Sequence, residues 1–394
     1  MRMLVCAILI AVLVDCHGDG PVTPPVAARL WQSPNVTYRV DKLGTLGGRS
    51  QGGSINNQGW VAGYSGLPDG TRHAALWRDG TIIDLGSLGG SQNGLHSNVQ
   101  WPGLSNTGII VGISHVADLD TLGESWSCSA FISANGHVCL GFVWEGGVMQ
   151  PLPTLGGENG FATGVNSQGQ VVGWAETPVQ DPTCNAPQVL QFRAVLREPA
   201  RGSVRELRPF PGDSTSAATA INDRGQVVGI SGACDVAVGR RSATHAVLWD
   251  QGRVTDLGNL GGSFWHTPMA INSQGDVVGF GNPPDGDLDG DSLRAFLWTR
   301  KDGIRDLGKF TGDAFSQALD INDRGEIVGV SCAAVCQAVL WQNGVPVKLQ
   351  DFVEPGFADH LWSARSINEA GQITGRLIEQ GTGKWVTYVA TPIH

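Results

Sequence analysis

The sequence predicts an all-β fold, a seven-bladed β-propeller of four-stranded blades closed by the N-terminal strand. Three observations carry this. A string of the form apolar-Asn-x-x-Gly-x-(Val/Ile)-(Val/Ala/Thr)-Gly is read in seven copies, with Asn56, Asn106, Asn166, Asn222, Asn272, Asn322 and Asn368 spaced by 50, 60, 56, 50, 50 and 46 residues. A period near 50 without helical patterning is that of a four-stranded propeller blade. Finally, the two chain ends complement each other: residues 38–44 read as a fourth strand with no first three before it, and the last copy supplies three strands and stops.

Within one copy the elements follow in order. Residues 218–231 give a first strand ending in Ile-Asn, a turn at Asn222 and Gly225, and a Val-Val-Gly strand. Asn bonds its own downstream backbone and Gly accepts positive φ, so this pair closes a hairpin. Residues 245–258 give the Ala-x-Leu-Trp and Val-x-Asp-Leu-Gly strands, joined in other copies by Asp79-Gly80, Asp302-Gly303 or Asn343-Gly344, which suit tight turns. A Leu-Gly-x-Leu-Gly-Gly segment, as at 43–48, 85–90 and 257–262, then crosses to the next copy. Trp77, Trp144, Trp249, Trp298 and Trp341 recur at one strand position and are expected to pack between blades.

The linked strings Ile-Asn-x-x-Gly, His-Ala-x-Leu-Trp and Asp-Leu-Gly-x-Leu-Gly-Gly resemble those of the bacterial extracellular HAF-repeat family, over about residues 38–390. The third copy departs, with Arg197 where others carry Trp, and the last has no clear Leu-Trp. The resemblance implies export and a repeat fold, and no activity.

Domain boundaries follow: a signal peptide over 1–15, a Gly/Pro-rich linker over 16–36 and one propeller over 37–394. Arg2 precedes an uncharged apolar run, residues 3–14, too short to span a bilayer. Residues 13–16 resemble a lipoprotein cleavage box with acylation at Cys16, although Asp15 stands where a small residue is usual; a cut after Ala28 is the alternative. The chain is therefore expected to be secreted, periplasmic or at the cell surface, with no transmembrane segment and a lipid anchor if Cys16 is acylated. A net charge of −10 without a basic run argues against nucleic acid as partner. In an exported chain, Cys128 with Cys139, Cys184 with Cys234 and Cys332 with Cys336 are the natural disulfides, all between second and third strands; a metal site is the rival reading.

Asp285, Asp287, Asp289 and Asp291 alternate around Gly290 like the first half of a calcium loop, without a closing carboxylate, so Ca²⁺ is the expected cofactor and a solvated loop tip the alternative. Counting back from the repeat Asn gives Trp101, Phe161, Phe264, Trp265, Phe315 and Trp362, with His96, His266 and His360 nearby. Such rings precede the innermost strands and are expected to rim the channel, offering a stacking surface for a sugar; the alternative is packing between blades. Trp101, Phe161, Trp265, His266, Phe315 and Trp362 are the proposed ligand contacts. Glu158, Asp213, Asp313, Asp320 and Asp359 lie near the inner strands, but their spacing identifies no catalytic pair. The expected function is non-catalytic binding of a ligand or partner, glycan or protein, through the face with the long loops. A polysaccharide hydrolase or lyase at the channel mouth is the alternative, and a structural surface protein a third reading.

Overall fold

The computed structural model describes residues 36–90, 94–124, 126–133, 135–199, 202–234, 243–284, 286 and 292–393. Seven four-stranded antiparallel sheets are arranged as blades around a central axis. Blade 4 is representative, with Thr215–Ile221 innermost, then Val227–Gly232, His245–Asp250 and Arg253–Asp256 outermost. In the last blade His360–Ile367, Ile373–Ile378 and Trp385–Ile393 are completed by Thr37–Lys42, paired from Thr37 with Ile393 to Lys42 with Tyr388. Closure by the N-terminal strand is thus as expected, and it covers the outer edge of Trp385–Ile393. The signal peptide, linker residues 16–35 and Cys16 lie outside the described residues.

The repeat Asn does more than close a hairpin. Its Oδ1 accepts backbone N–H groups of its own turn, as Asn222 does from Arg224 and Gln226, both at 3.0 Å. Its Nδ2 reaches into the next blade: Asn166 donates to the Asn222 carbonyl, Asn222 to Asn272, Asn272 to Asn322, Asn322 to Asn368 and Asn368 back to Asn56, at 2.9–3.3 Å. Asn56 donates instead to the Ser105 carbonyl at 3.1 Å, which corrects the reading of the second copy. Asn106-Thr-Gly108 is one residue short of Asn-x-x-Gly; Ser105 takes the Asn place, and its hydroxyl accepts from the N–H groups of Thr107 and Ile109. A buried side chain that satisfies two blades at once makes the belt a tie between blades. Asn222→Ala strands two N–H groups and leaves the Asn272 carbonyl with the Gly275 N–H alone, so it should cost about 2–3 kcal/mol in a urea melt; an unchanged midpoint would remove the belt from the account.

The Trp column also bridges blades. Trp77, Trp249 and Trp341 donate their indole N–H to the carbonyls of Gly44, Arg208 and Leu307, at or just beyond the preceding blade's outer strand. Between blades the core is built from small and branched side chains, for example Ala218, Val247 and Trp249 against Leu196 and Leu207.

Candidate functional site

Every innermost strand except that of blade 2 carries a β-bulge three residues before the repeat Asn, so that Gly53, Thr163, Thr219, Met269, Leu319 and Arg365 are extra residues in their ladders. A bulge re-aims one side chain, and four of these six line a cavity on the channel axis. Blade 2 has only Ser97–Asn98 as its inner strand, and Pro102 stands where the other blades carry the bulge residue. The cavity holds about 210 Å³ and is lined by Gln100, Trp101, Thr219, Ile230, Trp265, Thr267, Met269, Phe280, Gln317, Leu319 and Arg365. No described lining residue is a carboxylate.

Described residues of the loops between second and third strands, Phe131, Cys184, Cys234 and Leu293 among them, pack in one cluster with Trp101, Trp265 and Phe280 of this lining. All three expected disulfides are present, Cys128–Cys139, Cys184–Cys234 and Cys332–Cys336, with the second joining blades 3 and 4. The six loop cysteines are thereby accounted for without metal. Phe131, on the loop that Cys128–Cys139 closes, packs on Trp101 and Phe161, with ring centroids 5.3 and 4.7 Å away, while Trp101 and Phe161 stack at 5.6 Å.

The six aromatic and histidine residues expected to bind ligand therefore divide. Trp101 and Trp265 line the cavity. Phe161, only 1% exposed, packs behind Trp101. Phe315 packs against the same apolar cluster. His266 is buried and bonds the Gly262 carbonyl through Nε2 at 3.1 Å. Trp362 is turned aside by a second bulge between Leu361 and Ser363 and lies against Trp385, centroids 4.8 Å apart. Trp265 itself has φ of +62°, whereas the other described non-Gly residues in the left-handed region, Asp79, Gln251 and Asn343, sit in hairpin turns. A bulky residue there costs on the order of 1–3 kcal/mol, a strain retained where it positions a group for use.

Arg365 was not singled out from sequence. The legible signal is its column: where other copies carry Gly, Pro, Thr, Met or Leu, blade 7 carries Arg. Its Nη2 donates to the Gln100 carbonyl at 3.2 Å, and its buried Nε has no hydrogen-bond partner. Burial, with the neighbouring Arg376 charge, pushes this guanidinium down to about 10. Arg376 stacks over Trp385 at 3.9 Å and Trp362 at 5.4 Å, and Arg72 lies over Tyr64 and donates to the Ile132 carbonyl. Among the described residues, none of these three guanidinium groups pairs with a carboxylate.

The carboxylates lie elsewhere and hold chain together. Asp213 and Asp313 accept from the Ser231 and Ser331 hydroxyls at 2.6 Å, and those hydroxyls accept the Phe210 and Phe310 N–H groups of the crossings. Asp320, pushed up to about 6 by burial, accepts from Ser366 and the Ile367 N–H. Asp359 pairs with Lys42 at 3.3 Å, and Glu158 accepts from the Thr121 N–H. Glu124 and Glu176 come together, sharing the Gln188 amide at 3.1 and 2.9 Å. Burial and the Glu124 carboxylate push Glu176 up to about 7. Both side chains are fully buried and neither lines the axial cavity. Their bonds to Val189, Leu190 and Asn159 tie the loops of blades 2 and 3.

Asp285, Asp287, Asp289 and Asp291 lie outside the described residues. Among the described residues no group of three or more His, Cys, Asp or Glu side chains is placed to hold a metal ion, and no helix is long and apolar enough to cross a membrane.

Fold and site together define a closed seven-bladed propeller with a small axial cavity lined by two indoles and an arginine. No protein-family model and no curated protein sequence matches the chain. Among solved structures it is similar to a gluconolactonase from Xanthomonas campestris, at 11% identity, TM-score 0.39, over 94% of this chain and 93% of that one. It is also similar to an acylaminoacyl peptidase from Pyrococcus horikoshii, at 11% identity, TM-score 0.48, over 90% of this chain but 51% of that one, so it spans about half that protein's length. An oligogalacturonate lyase from Vibrio parahaemolyticus aligns at 11% identity, TM-score 0.42, over 91% and 92% of the two chains. Similarity at this level carries no functional argument.

Proposed function

We propose that this chain is an exported, non-catalytic propeller of the HAF-repeat kind that binds a carbohydrate through the face bearing the long loops. The observation that carries the reading is the axial cavity, where Trp101 and Trp265 line a site with Gln100, Thr219, Thr267 and Gln317 between them. Flat indole faces stack on sugar rings, and neutral side chains of both hydrogen-bonding senses suit hydroxyl groups. The strained backbone of Trp265 supports a role for that ring beyond packing. Hydrolysis or elimination at the same place needs a positioned acid or base, and no carboxylate is among the described residues that line the cavity.

A glycan array tests this. The protein should retain a restricted set of sugars, and Trp265→Gly, which relieves the left-handed strain while deleting the ring, should abolish retention with a melting temperature near that of the parent. Retention unaffected by the substitution would move the site elsewhere.

Three disulfides suit an oxidising compartment. In the same reading the chain is secreted, periplasmic or held at the cell surface through an acyl group on Cys16, which an intact mass of the native protein checks. The run Asp285, Asp287, Asp289 and Asp291 binds Ca²⁺ in this reading: four carboxylates within seven residues repel one another until a cation is bound. Millimolar Ca²⁺ should then raise the melting temperature over that in chelator, by mass action. Equal melts would return the segment to a solvated tip.

A further inference from the structure

Sugar stacking does not account for the arginine. Arg365 occupies a bulge position that Gly, Thr, Met and Leu fill in other blades, so the ring architecture has no need of a cation there. The chain carries a net charge of −10, yet Arg365, with Arg376 as a charged neighbour, lines the cavity without a carboxylate partner among the described residues. A guanidinium withdrawn from water is costly unless a counter-charge is supplied. One Nη of Arg365 is taken by the Gln100 carbonyl and Nε is buried without a partner, so the chain itself leaves this guanidinium incompletely satisfied, and its terminal Nη edge is the part that can meet an acceptor from outside the chain. Thr267 Oγ1, also on the cavity wall, is a second buried polar atom without a partner.

Building on the binding role proposed above, we propose that the axial cavity is a site for a sugar acid, its carboxylate held by Arg365 and its ring lying against Trp101 and Trp265. The volume of about 210 Å³ falls below the range of about 300–1,000 Å³ usual for drug-sized ligands, so one ring enters, as a monosaccharide or the end of a chain. A carboxylate meets the fork edge-on through two parallel hydrogen bonds. Gln100 and Gln317 remain for hydroxyls. The negative charge of the rest of the chain does not oppose this, because exposed charges further than a Debye length are screened at physiological salt.

Calorimetric titration of the purified protein with D-glucuronate, D-glucose and D-glucose 6-sulfate tests the assignment. Glucuronate should bind about tenfold or more tightly than glucose, in keeping with a charge-assisted fork. Arg365→Gln should erase that ratio, and Trp265→Gly should weaken both sugars. Equal binding of glucuronate and glucose by the wild type overturns the proposal, as does an advantage that survives Arg365→Gln or a preference for the sulfate ester. If Arg365→Gln fails to fold, the wild-type ratio alone decides. Retention of neutral glycans on the array without any glucuronate preference overturns this inference and leaves the binding role standing; no retention of any sugar overturns both.

Discussion

Deleting residues 36–42 should open the ring and lower stability by about 5–9 kcal/mol, the largest effect expected for any change of this length. Val36 and Tyr38 are 4% and 2% exposed in one cluster with Leu361, Leu377 and Tyr388, and Val40 packs against it. Burying three such side chains is worth about 1.5–3 kcal/mol each. The deletion also strips the pairing partner from Trp385–Ile393 and so exposes a long edge. Denaturant unfolding followed by size-exclusion chromatography reads both consequences, lost stability and self-association. A truncated chain that stays monomeric with the parent's midpoint would mean that the blade closes without its outer strand.

The second large effect is expected at Cys184–Cys234. This bond joins the loops of blades 3 and 4 and closes 50 residues. Chain entropy alone predicts a contribution of about 4 kcal/mol for a loop of that length. Replacing both cysteines by Ser should therefore lower the unfolding free energy by about that much, whereas Cys332–Cys336, which closes a hairpin with a separation of 4, should contribute about half as much. Equal losses at the two sites would show that the bonds act through native packing and not through the unfolded chain.

Much of the fold was legible because a repeat turns one local pattern into a global one. The Asn turn, the Gly-rich crossing and the orphan strand at the N-terminus each had a local physical reason, and seven copies made the architecture follow. What remained hidden was the second use of the same residues. Asn222 reads as a turn former, and nothing in its own copy says that its amide also bonds the Asn272 carbonyl of the next blade. The shift in blade 2 was concealed because Ser105-Asn106 offers two residues able to cap the turn, and the local hints are the short Asn106-Thr-Gly108 spacing and Pro102.

The candidate site was less legible, for a geometric reason. Counting back from the repeat Asn gives height along the channel but not direction, and bulges change direction. One at Trp362 turns that ring onto Trp385, whereas the bulge at Arg365 lines the cavity with a guanidinium. Phe161 was placed at the right height and then covered by Phe131, from a loop whose path the repeat does not specify. Trp101 and Trp265 remained at the cavity, so the aromatic signal located the mouth without resolving its lining.

The central claim is that a closed propeller holds a sugar at its axis without converting it. The direct measurement follows binding and turnover on one sample, with a glycan retained on the array incubated with the protein and assayed for new reducing ends and unsaturated products. The account predicts saturable binding, lost in Trp265→Gly, with product at the level of the protein-free control. Product that grows with time and protein concentration would contradict it and make the axial cavity an active site.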